Sequence, residues 1–361
     1  MKRLLVFVLL FVLGVAIPVG CAANNSTSTG GANGDAPSVL SIYNWSDYID
    51  ESVITDFESQ FNATVEYDTF DSNEAMLAKI QQGNPGYDII VPTGDFVAGM
   101  IAEGLLEELD LGNIPNLNNI AERFLDPPFD PGNRYSVPYQ WGTIGIGYNT
   151  TAAGGEITSW EEIFDAKYAG RVALMEDPRA MLGVILMTLG YDPNTTDPDE
   201  LKAAKDYLIE HKDVIATFAP DTGEDLLNQG EVDIAVEWNG DVFQVMEEND
   251  EIEYVIPEEG TIVWVDNLAI PKDAPNKELA EKFINFVLEP EVSAMISNYI
   301  KYGNPNEAAL EQKLIDQEDL DNPGIYPPPE TFKKLKYAND LGDDTQLYDE
   351  VWTELKVAVG K

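Results

Sequence analysis

The first alternation of strands and helices runs from residue 39 to residue 103 and reads VLSIYNWSDYIDESVITDFESQFNATVEYDTFDSNEAMLAKIQQGNPGYDIIVPTGDFVAGMIAE. Three of its apolar stretches are typical of strands: residues 39–43, 64–70 and 87–91. Apolar residues with helical spacing follow each of these stretches, at residues 48–61, 73–82 and 95–103. This order predicts an α/β fold in which helices cover a parallel sheet.

Polar and aromatic residues come directly after the three predicted strands, at residues 44–48, 71–74 and 92–95. Ligands of parallel α/β sheets bind outside the carboxyl ends of the strands. We therefore expect a binding site at this edge of the sheet.

The rest of the chain continues the alternation. Strands are predicted at residues 172–175, 215–218, 232–237 and 254–257. A capping box that begins at Thr158, and Asp197 in front of Pro198, are typical of helix starts. A long apolar strand at 261–271 and an amphipathic helix at 278–288 follow. The roughly 320 residues after the amino-terminal region are enough for two lobes rather than one core.

The amino terminus has the features of a secretory signal. Lys2 and Arg3 precede an apolar run, which is typical of a cleaved leader over residues 1–20. Cys21, the only cysteine, follows Gly20 in a pattern that resembles the lipobox of bacterial lipoproteins. This predicts a lipid anchor at Cys21, followed by a flexible tether over residues 21–38. An uncleaved anchor helix over the same apolar run is the alternative.

The chain is strongly acidic, with 65 aspartates and glutamates, 21 lysines and arginines, and a formal net charge of −44. Nucleic-acid binding is excluded, because contacts to phosphate need lysine and arginine. The acidity can steer a cationic ligand, or it can belong to a salt-adapted surface. Since the acids are spread over the whole chain, the surface interpretation explains most of them.

Residue types for conventional catalysis or metal binding are scarce. His211 is the only histidine and lies at a charged helix end, where we expect a solvated side chain. With one histidine and one cysteine, we predict no metal site and no cofactor. Because these residue types are scarce, we predict a protein that is not an enzyme. A glycoside hydrolase with a pair of carboxylates is the one enzyme class that remains as an alternative.

Three tryptophans stand near an aspartate: Trp45 with Asp47, Trp238 with Asp241, and Trp264 with Asp266. An indole face and a carboxylate together bind an organic ammonium ion, because the ring attracts the cation and the carboxylate replaces its lost hydration. Structural alternatives remain. Asp47 can instead cap a helix, and Trp264 can instead fill the core. The other tryptophans are expected to be packing residues: Trp141, Trp160 and Trp352.

Four segments resemble the polyamine-binding proteins of ABC importers: SIYNWSDYI at 41–49, YDTFDSNE at 67–74, YDIIVP at 87–92 and VPYQWG at 137–142. The resemblance continues through WNGD at 238–241 and NPGIYP at 322–327. It covers the chain from residue 39 to its end. It is specific, because several unrelated motifs fall in the family's order and spacing.

The resemblance implies a two-lobed periplasmic-binding clamshell of type II-like α/β fold, with the ligand between the lobes. We place residues 39–145 and 267–308 in one lobe, and residues 146–266 and 309–361 in the other. The resemblance also implies an extracytoplasmic, monomeric protein that captures putrescine or spermidine and delivers it to an ABC permease in the membrane. Another organic cation is the alternative ligand. The implied ligand-binding residues are Trp45, Ser46, Asp47, Tyr48, Thr93, Asp95, Asp177, Trp238, Asp241, Trp264, Asp266 and Tyr302.

Three positions depart from the family's pattern. Ala180 stands where the family often has a ligand-binding glutamate, and Asp95 stands where the spermidine type has a stacking tyrosine. Ala338 replaces a polar residue that can contact the distal amine. Because an unpaired buried ammonium is costly, these losses penalise a longer ligand more. We therefore expect a diamine such as putrescine to be bound at least as well as spermidine.

Overall fold

The computed structural model describes residues 37–83 and 85–361, so the predicted signal, Cys21 and most of the tether lie outside the described residues. The described strands are β1 (Ser38–Trp45), β2 (Ala63–Phe70), β3 (Ile89–Ile90), β4 (Ser136–Asn149), β5 (Val172–Met175), β6 (Ile215–Ala219), β7 (Ile234–Trp238), β8 (Ile252–Val255), β9 (Ile262–Ala269) and β10 (Lys336–Tyr337). The described helices are α1 (Glu51–Phe61), α2 (Asn73–Gln81), α3 (Gly94–Ala102), α4 (Thr150–Ala153), α5 (Pro178–Thr188), α6 (Pro198–Glu210), α7 (Gly223–Asn228), α8 (Asn239–Met246), α9 (Lys277–Val287), α10 (Pro290–Ile300), α11 (Glu307–Glu311), α12 (Gln317–Asp321), α13 (Pro329–Phe332) and α14 (Thr345–Val359).

The hydrogen-bonded strands follow the order β2-β1-β3-β9-β4-β7-β5-β6, with β10 beside β9 and β8 beside β4. β1 pairs in parallel with β2 and with β3, as the predicted alternation requires. β9 instead runs antiparallel to β3 and β4. The parallel sheet predicted for the first three strands is confirmed. β9 returns to these strands from the second half of the chain and joins them in the antiparallel direction.

β4 connects the two groups of strands. Its first part, residues 136–143, pairs with β9, and its second part, residues 144–149, pairs with β7 and β8. All but the last of its 14 residues are buried. One strand thus links the group β1, β2, β3 and β9 to the group β5, β6, β7 and β8.

Helix starts follow ordinary capping chemistry. Asp50 caps α1, since its side chain accepts a hydrogen bond from the Ser52 amide. The alternative in which Asp47 caps this helix is wrong, because the chain turns at Asp47 with a positive φ of 45° before the helix begins. Ser72 caps α2, and Asp197 caps α6, as expected.

The expected packing residues Trp141, Trp160 and Trp352 are buried. The prediction of a solvated His211 is wrong, because its ring is half-buried and packs on Phe164 and Tyr207 at centroid distances of 5.3 and 4.4 Å. Within residues 37–83 and 85–361, no helix combines the length and the apolar character that crossing a membrane requires.

Candidate ligand-binding site

A cavity lies at the ends of strands from both groups of strands, and its empty space of about 700 Å³ is partly open to solvent. Trp45 is the last residue of β1, Thr93 precedes α3, Asp177 caps α5, and Trp238 ends β7. The edge of the sheet predicted from the sequence is therefore where the cavity lies. Eleven of the predicted residues line it: Trp45, Ser46, Tyr48, Thr93, Asp95, Asp177, Trp238, Asp241, Trp264, Asp266 and Tyr302.

Asp47 is the predicted site residue that the structure does not place in the cavity wall. It is exposed in the turn between β1 and α1. Burial is the main cause of the raised pKa of Asp241, and the charge of Asp47 adds to that shift. Asp47 thus acts on the cavity electrostatically, from outside the wall.

Four aromatic rings form a continuous edge-to-face chain along the cavity. Tyr48 contacts Tyr302 at a centroid distance of 5.3 Å, Tyr302 contacts Trp264 at 5.1 Å, and Trp264 contacts Trp238 at 5.6 Å. The two ring planes of each pair are inclined to one another by 68° to 86°. Such a chain fixes the rings by mutual packing and presents aromatic surface to a cation.

Two glycines make this packing possible. A Cβ atom at Gly142 would lie 2.5 Å from the Trp264 ring, and one at Gly240 would lie 2.4 Å from the Tyr302 ring. Both distances are shorter than any real contact, so a side chain at either glycine would displace the rings. The backbone of β4 and the first turn of α8 therefore set the ring positions.

Asp266 lies beside these rings on β9 and is 4% exposed. Burial raises the pKa of its carboxyl group well above the ordinary value, and Tyr48 opposes that shift. Even so, Asp266 Oδ1, Tyr48 Oη and Trp264 Nε1 are buried without a hydrogen bond of ordinary geometry to any described residue. A buried polar atom without a partner costs about 1–3 kcal/mol. Tyr48 and Asp266 are hydrogen-bonding neighbours, and all three residues line the cavity. A polar ligand in the cavity can therefore bond to these atoms.

A first set of carboxylates, the Asp241 group, consists of Asp221, Glu237 and Asp241. One oxygen from each residue lies within 4.8 Å of the others. Glu237 is fully buried, and its two oxygens accept hydrogen bonds from the amides of Gly223 and Trp238 at 3.1 and 3.0 Å. The sequence predicted only Asp241 of this group. Asp221 follows β6 directly, so the strand-end rule could have found it.

The acids of the Asp241 group repel one another. Removal from water, followed by the charge of Glu224, raises the pKa of Asp221 to about 7. Burial raises the pKa of Glu237 and of Asp241 well above the usual range, and the neighbouring acids add to both shifts. Three carboxylates this close can hold an ammonium ion or a hard metal cation. The sequence had predicted no metal site, so this geometry was not foreseen.

A second set, the Asp177 group, consists of Glu74, Asp95 and Asp177. Removal from water, followed by the charge of Asp177, raises the pKa of Glu74 to about 7. Desolvation raises the pKa of Asp95 to about 6, although the positive charge of Arg179 opposes it. Asp177 accepts a hydrogen bond from the Ala180 amide at 2.8 Å. Asp95 and Asp177 line the cavity together with Ala180, whereas Glu74 lies outside the cavity wall.

Arg179 is the basic residue of the cavity wall, and its donors are already engaged. Its guanidinium lies 4.2 Å from the centre of the Tyr348 ring and donates to Asn194 Oδ1 and to the Asn339 carbonyl, at 2.9 and 3.1 Å. It therefore offsets part of the negative charge of the Asp177 group. No basic residue contributes in this way to the pKa values of the Asp241 group.

Asp266 connects the two groups. After burial, the charges of Asp95 and Asp221 are the contributions that raise its pKa further. One of these residues belongs to each group. The cavity thus offers carboxylates at two places and a third carboxylate that interacts with both, along a wall of aromatic rings. This arrangement fits an extended ligand that carries more than one positive charge.

The chain matches the family of bacterial extracellular solute-binding proteins over residues 52–322. It is 38% identical over 319 residues to the spermidine/putrescine-binding periplasmic protein of Salmonella typhimurium, covering 88% of this chain and 91% of that protein.

Two solved structures share the fold. The substrate-binding protein PotD of a spermidine/putrescine ABC transporter from Streptococcus pneumoniae, solved with calcium and HEPES, matches with a TM-score of 0.78 and 36% identity. That match covers 89% of this chain and 99% of the other. The TpPotD lipoprotein of Treponema pallidum matches with a TM-score of 0.78, 33% identity, and 88% and 99% coverage. These matches confirm the expected two-lobed clamshell.

Proposed function

The chain belongs to the family of bacterial extracellular solute-binding proteins, and we propose that it captures a polyamine in the cavity and delivers it to an ABC permease. The observation that carries this proposal is the combination of two carboxylate groups, only one of which has a basic neighbour, with the buried Asp266 and a wall of four aromatic rings. A flexible chain of methylenes with an ammonium at each end satisfies all three features.

The charge of the cavity supports a cation over other solutes. A sugar would leave the acids of the Asp241 group without counter-charge, and an anion would be repelled by them. Arg179 offsets part of the charge of the Asp177 group, but its donors are engaged by Asn194 and Asn339 rather than by a ligand, and the Asp241 group keeps its charge. The names of the matched proteins agree with this chemistry, since they are described as binding spermidine and putrescine.

We assign one ammonium to Asp221 and Asp241, and another to Asp95 and Asp177, with Asp266 between them. Trp45, Trp238, Trp264, Tyr48 and Tyr302 pack on the methylene chain. Ser46 and Thr93 contribute hydroxyl groups, and Asp47 acts through its charge.

We further propose that the lobes, residues 39–145 with 267–308 and residues 146–266 with 309–361, close on the ligand. Trp45 and Asp95 come from the first of these lobes, whereas Asp177 and Asp241 come from the second. A ligand that contacts both favours the closed state. Small-angle scattering is expected to record compaction at saturating putrescine, and unchanged dimensions would contradict the proposal.

The location of the protein is proposed on the amino-terminal sequence. Cleavage before Cys21 and lipidation of its thiol would hold a monomeric, extracytoplasmic protein near its permease through the tether. Cys21→Ser is expected to release the protein from membranes. A mutant that stays tightly membrane-associated would favour the uncleaved anchor helix instead.

Calorimetric titration tests the ligand class. Putrescine and spermidine are expected to bind saturably, whereas butane-1,4-diol, which has the length of putrescine without its charges, is expected not to bind. Asp250→Asn, which removes an exposed acid outside the cavity wall, is the control for lost net charge and is expected to bind normally. Equal binding of the diol and the diamine would refute the proposal.

A further inference from the structure

A second cavity adjoins the first and contains about 1470 Å³ of empty space, part of it open to solvent. It is bounded by the start of α3, by residues 123–129, by β9 and by residues 337–340. Four residues line both cavities: Thr93, Asp95, Trp264 and Ala338. The two spaces therefore meet along a shared wall.

Ala338 borders both cavities, and its side chain is a single methyl group. The sequence alone predicts only the loss of a polar contact to the ligand at this position. Asp95 is the charged residue of the same junction.

Hydrogen bonds fix the chain around Ala338. Asn194 donates to the Tyr337 carbonyl at 2.9 Å and accepts from the Asn339 amide at 2.8 Å. Arg179 donates to the Asn339 carbonyl at 3.1 Å. Because both neighbours of Ala338 are held to the body of the protein, the junction is a built feature of the fold.

The second cavity has a net negative wall. Asp95, Asp126 and Asp340 line it, and Arg123 is its one basic residue within the described chain. The Arg123 guanidinium lies 4.8 Å from the centre of the Phe124 ring. Asp126 and Asp340 each use one oxygen to accept a backbone amide, from Gly132 and Gly342, both at 2.8 Å. These bonds hold each carboxylate in place and leave its second oxygen without a hydrogen bond from a described residue.

Aromatic rings supply the apolar part of this cavity. Phe129 packs so closely on Gly94 that a Cβ atom there would lie 2.6 Å from the ring, which fixes Phe129 in the wall. Tyr337 is 46% exposed and lies beside the junction. Methylene groups pack on such rings while an ammonium stays near the carboxylates.

We propose that the second cavity extends the ligand site and takes the outer aminopropyl arm of a linear tetramine such as spermine. The arm passes Ala338, its inner ammonium binds at Asp95, and its outer ammonium lies near Asp126 and Asp340. The inference rests on the proposed polyamine function and adds to it a place where a further aminopropyl arm binds.

The test is a set of calorimetric titrations of the intact chain with putrescine, spermidine and spermine. Ala338→Trp, which fills the junction, is expected to weaken spermine binding by about tenfold or more and putrescine binding by less than about threefold. The double variant Asp126→Asn with Asp340→Asn removes charge without adding bulk. This double variant is expected to lower the affinity for spermine by about two- to fivefold and to leave the affinity for putrescine unchanged.

The outcomes separate this inference from the proposed function. Normal putrescine binding with no spermine binding by the native chain would overturn the extension and leave the polyamine site intact. Equal losses for putrescine and spermine in both variants would also overturn the extension. Failure of the native chain to bind any polyamine would overturn both. If Ala338→Trp does not fold, the double aspartate variant alone decides.

Discussion

The two carboxylate groups of the cavity differ in what surrounds them. The Asp177 group has Arg179 beside it, which opposes the raised pKa values of Asp95 and Asp177. In the Asp241 group, burial and neighbouring acids raise the pKa values of Asp221, Glu237 and Asp241, with no basic residue among the causes. The two groups have the same formal charge, but only the Asp177 group has a positively charged residue beside it.

This difference has a consequence for binding. An ammonium at the Asp241 group supplies positive charge that no described basic residue supplies there, whereas one at the Asp177 group shares its role with Arg179. We therefore infer that the Asp241 group holds the more tightly bound end of the ligand. The following predictions test this asymmetry.

The largest effect is expected at Asp266, which interacts with both groups. Asp266→Asn removes the buried charge that an ammonium needs, so spermidine affinity is expected to fall by about 100-fold or more, equivalent to about 3 kcal/mol. Calorimetric titration measures this loss, with Asp250→Asn as the charge-matched control. Affinity within twofold of the native protein would remove Asp266 from the site.

The next effect compares the two groups directly. Asp241→Asn is expected to weaken putrescine binding by about 2–3 kcal/mol. Asp95→Asn is expected to weaken it by about 1 kcal/mol, because Arg179 already offsets part of the charge around Asp95. Parallel titrations of the two variants measure the difference. A larger loss in Asp95→Asn would reverse the proposed asymmetry.

The pH dependence follows from the raised pKa values of about 7 for Asp221 and Glu74 and about 6 for Asp95. Since a protonated carboxyl cannot pair with an ammonium, polyamine affinity is expected to fall as the pH drops from 8 to 5. Binding near pH 6.5 should release protons, and calorimetry in buffers of different ionisation enthalpy measures them. Affinity independent of pH over this range would contradict the account.

The ligand-free protein is expected to show the opposite trend in stability. These acids bind protons more tightly in the folded chain than in the unfolded chain, so their contribution to the free energy of unfolding falls as the pH rises from about 4 to 7. Denaturant unfolding with and without spermidine should therefore show ligand stabilisation that is larger at pH 8 than at pH 5. An equal increase in the free energy of unfolding at pH 8 and at pH 5 would argue against charge pairing in the cavity.

The smallest effect is expected at Glu74, which belongs to the Asp177 group but does not line the cavity. Glu74→Gln is expected to weaken spermidine by about two- to threefold and putrescine less, because Glu74 adds its charge to the Asp177 group, where Ala180 supplies none. Competition titrations measure the ratio. Equal losses of affinity for both ligands would show that Glu74 does not favour the longer ligand.

Local patterns predicted much of this molecule. Apolar spacing located the first three strands and their helices, and the strand-end rule brought Trp45, Thr93 and Asp95 to one cavity. Trp264 and Asp266 are two residues apart on β9, and both line that cavity. These features follow from local sequence patterns and from the position of each residue along its strand, so they could be predicted without the structure.

Other features depend on residues that are distant in sequence. The antiparallel position of β9 follows from its pairing with β3 and β4, which no local pattern reveals. The strand-end position of Asp221 can be predicted from the sequence, but its proximity to Asp241 and Glu237 cannot. The junction at Ala338 requires Asp95 and Trp264 from two other segments. Which side chains meet in such places is set by tertiary packing.

The most direct test is a crystal structure of the protein with spermidine. We expect an extended ligand in the first cavity, with one terminal nitrogen within hydrogen-bond distance of Asp221 or Asp241 and an inner nitrogen at Asp266. The other terminal nitrogen is expected at the Asp177 group. A ligand bound outside this cavity, or one whose nitrogens contact none of these carboxylates, would contradict the account.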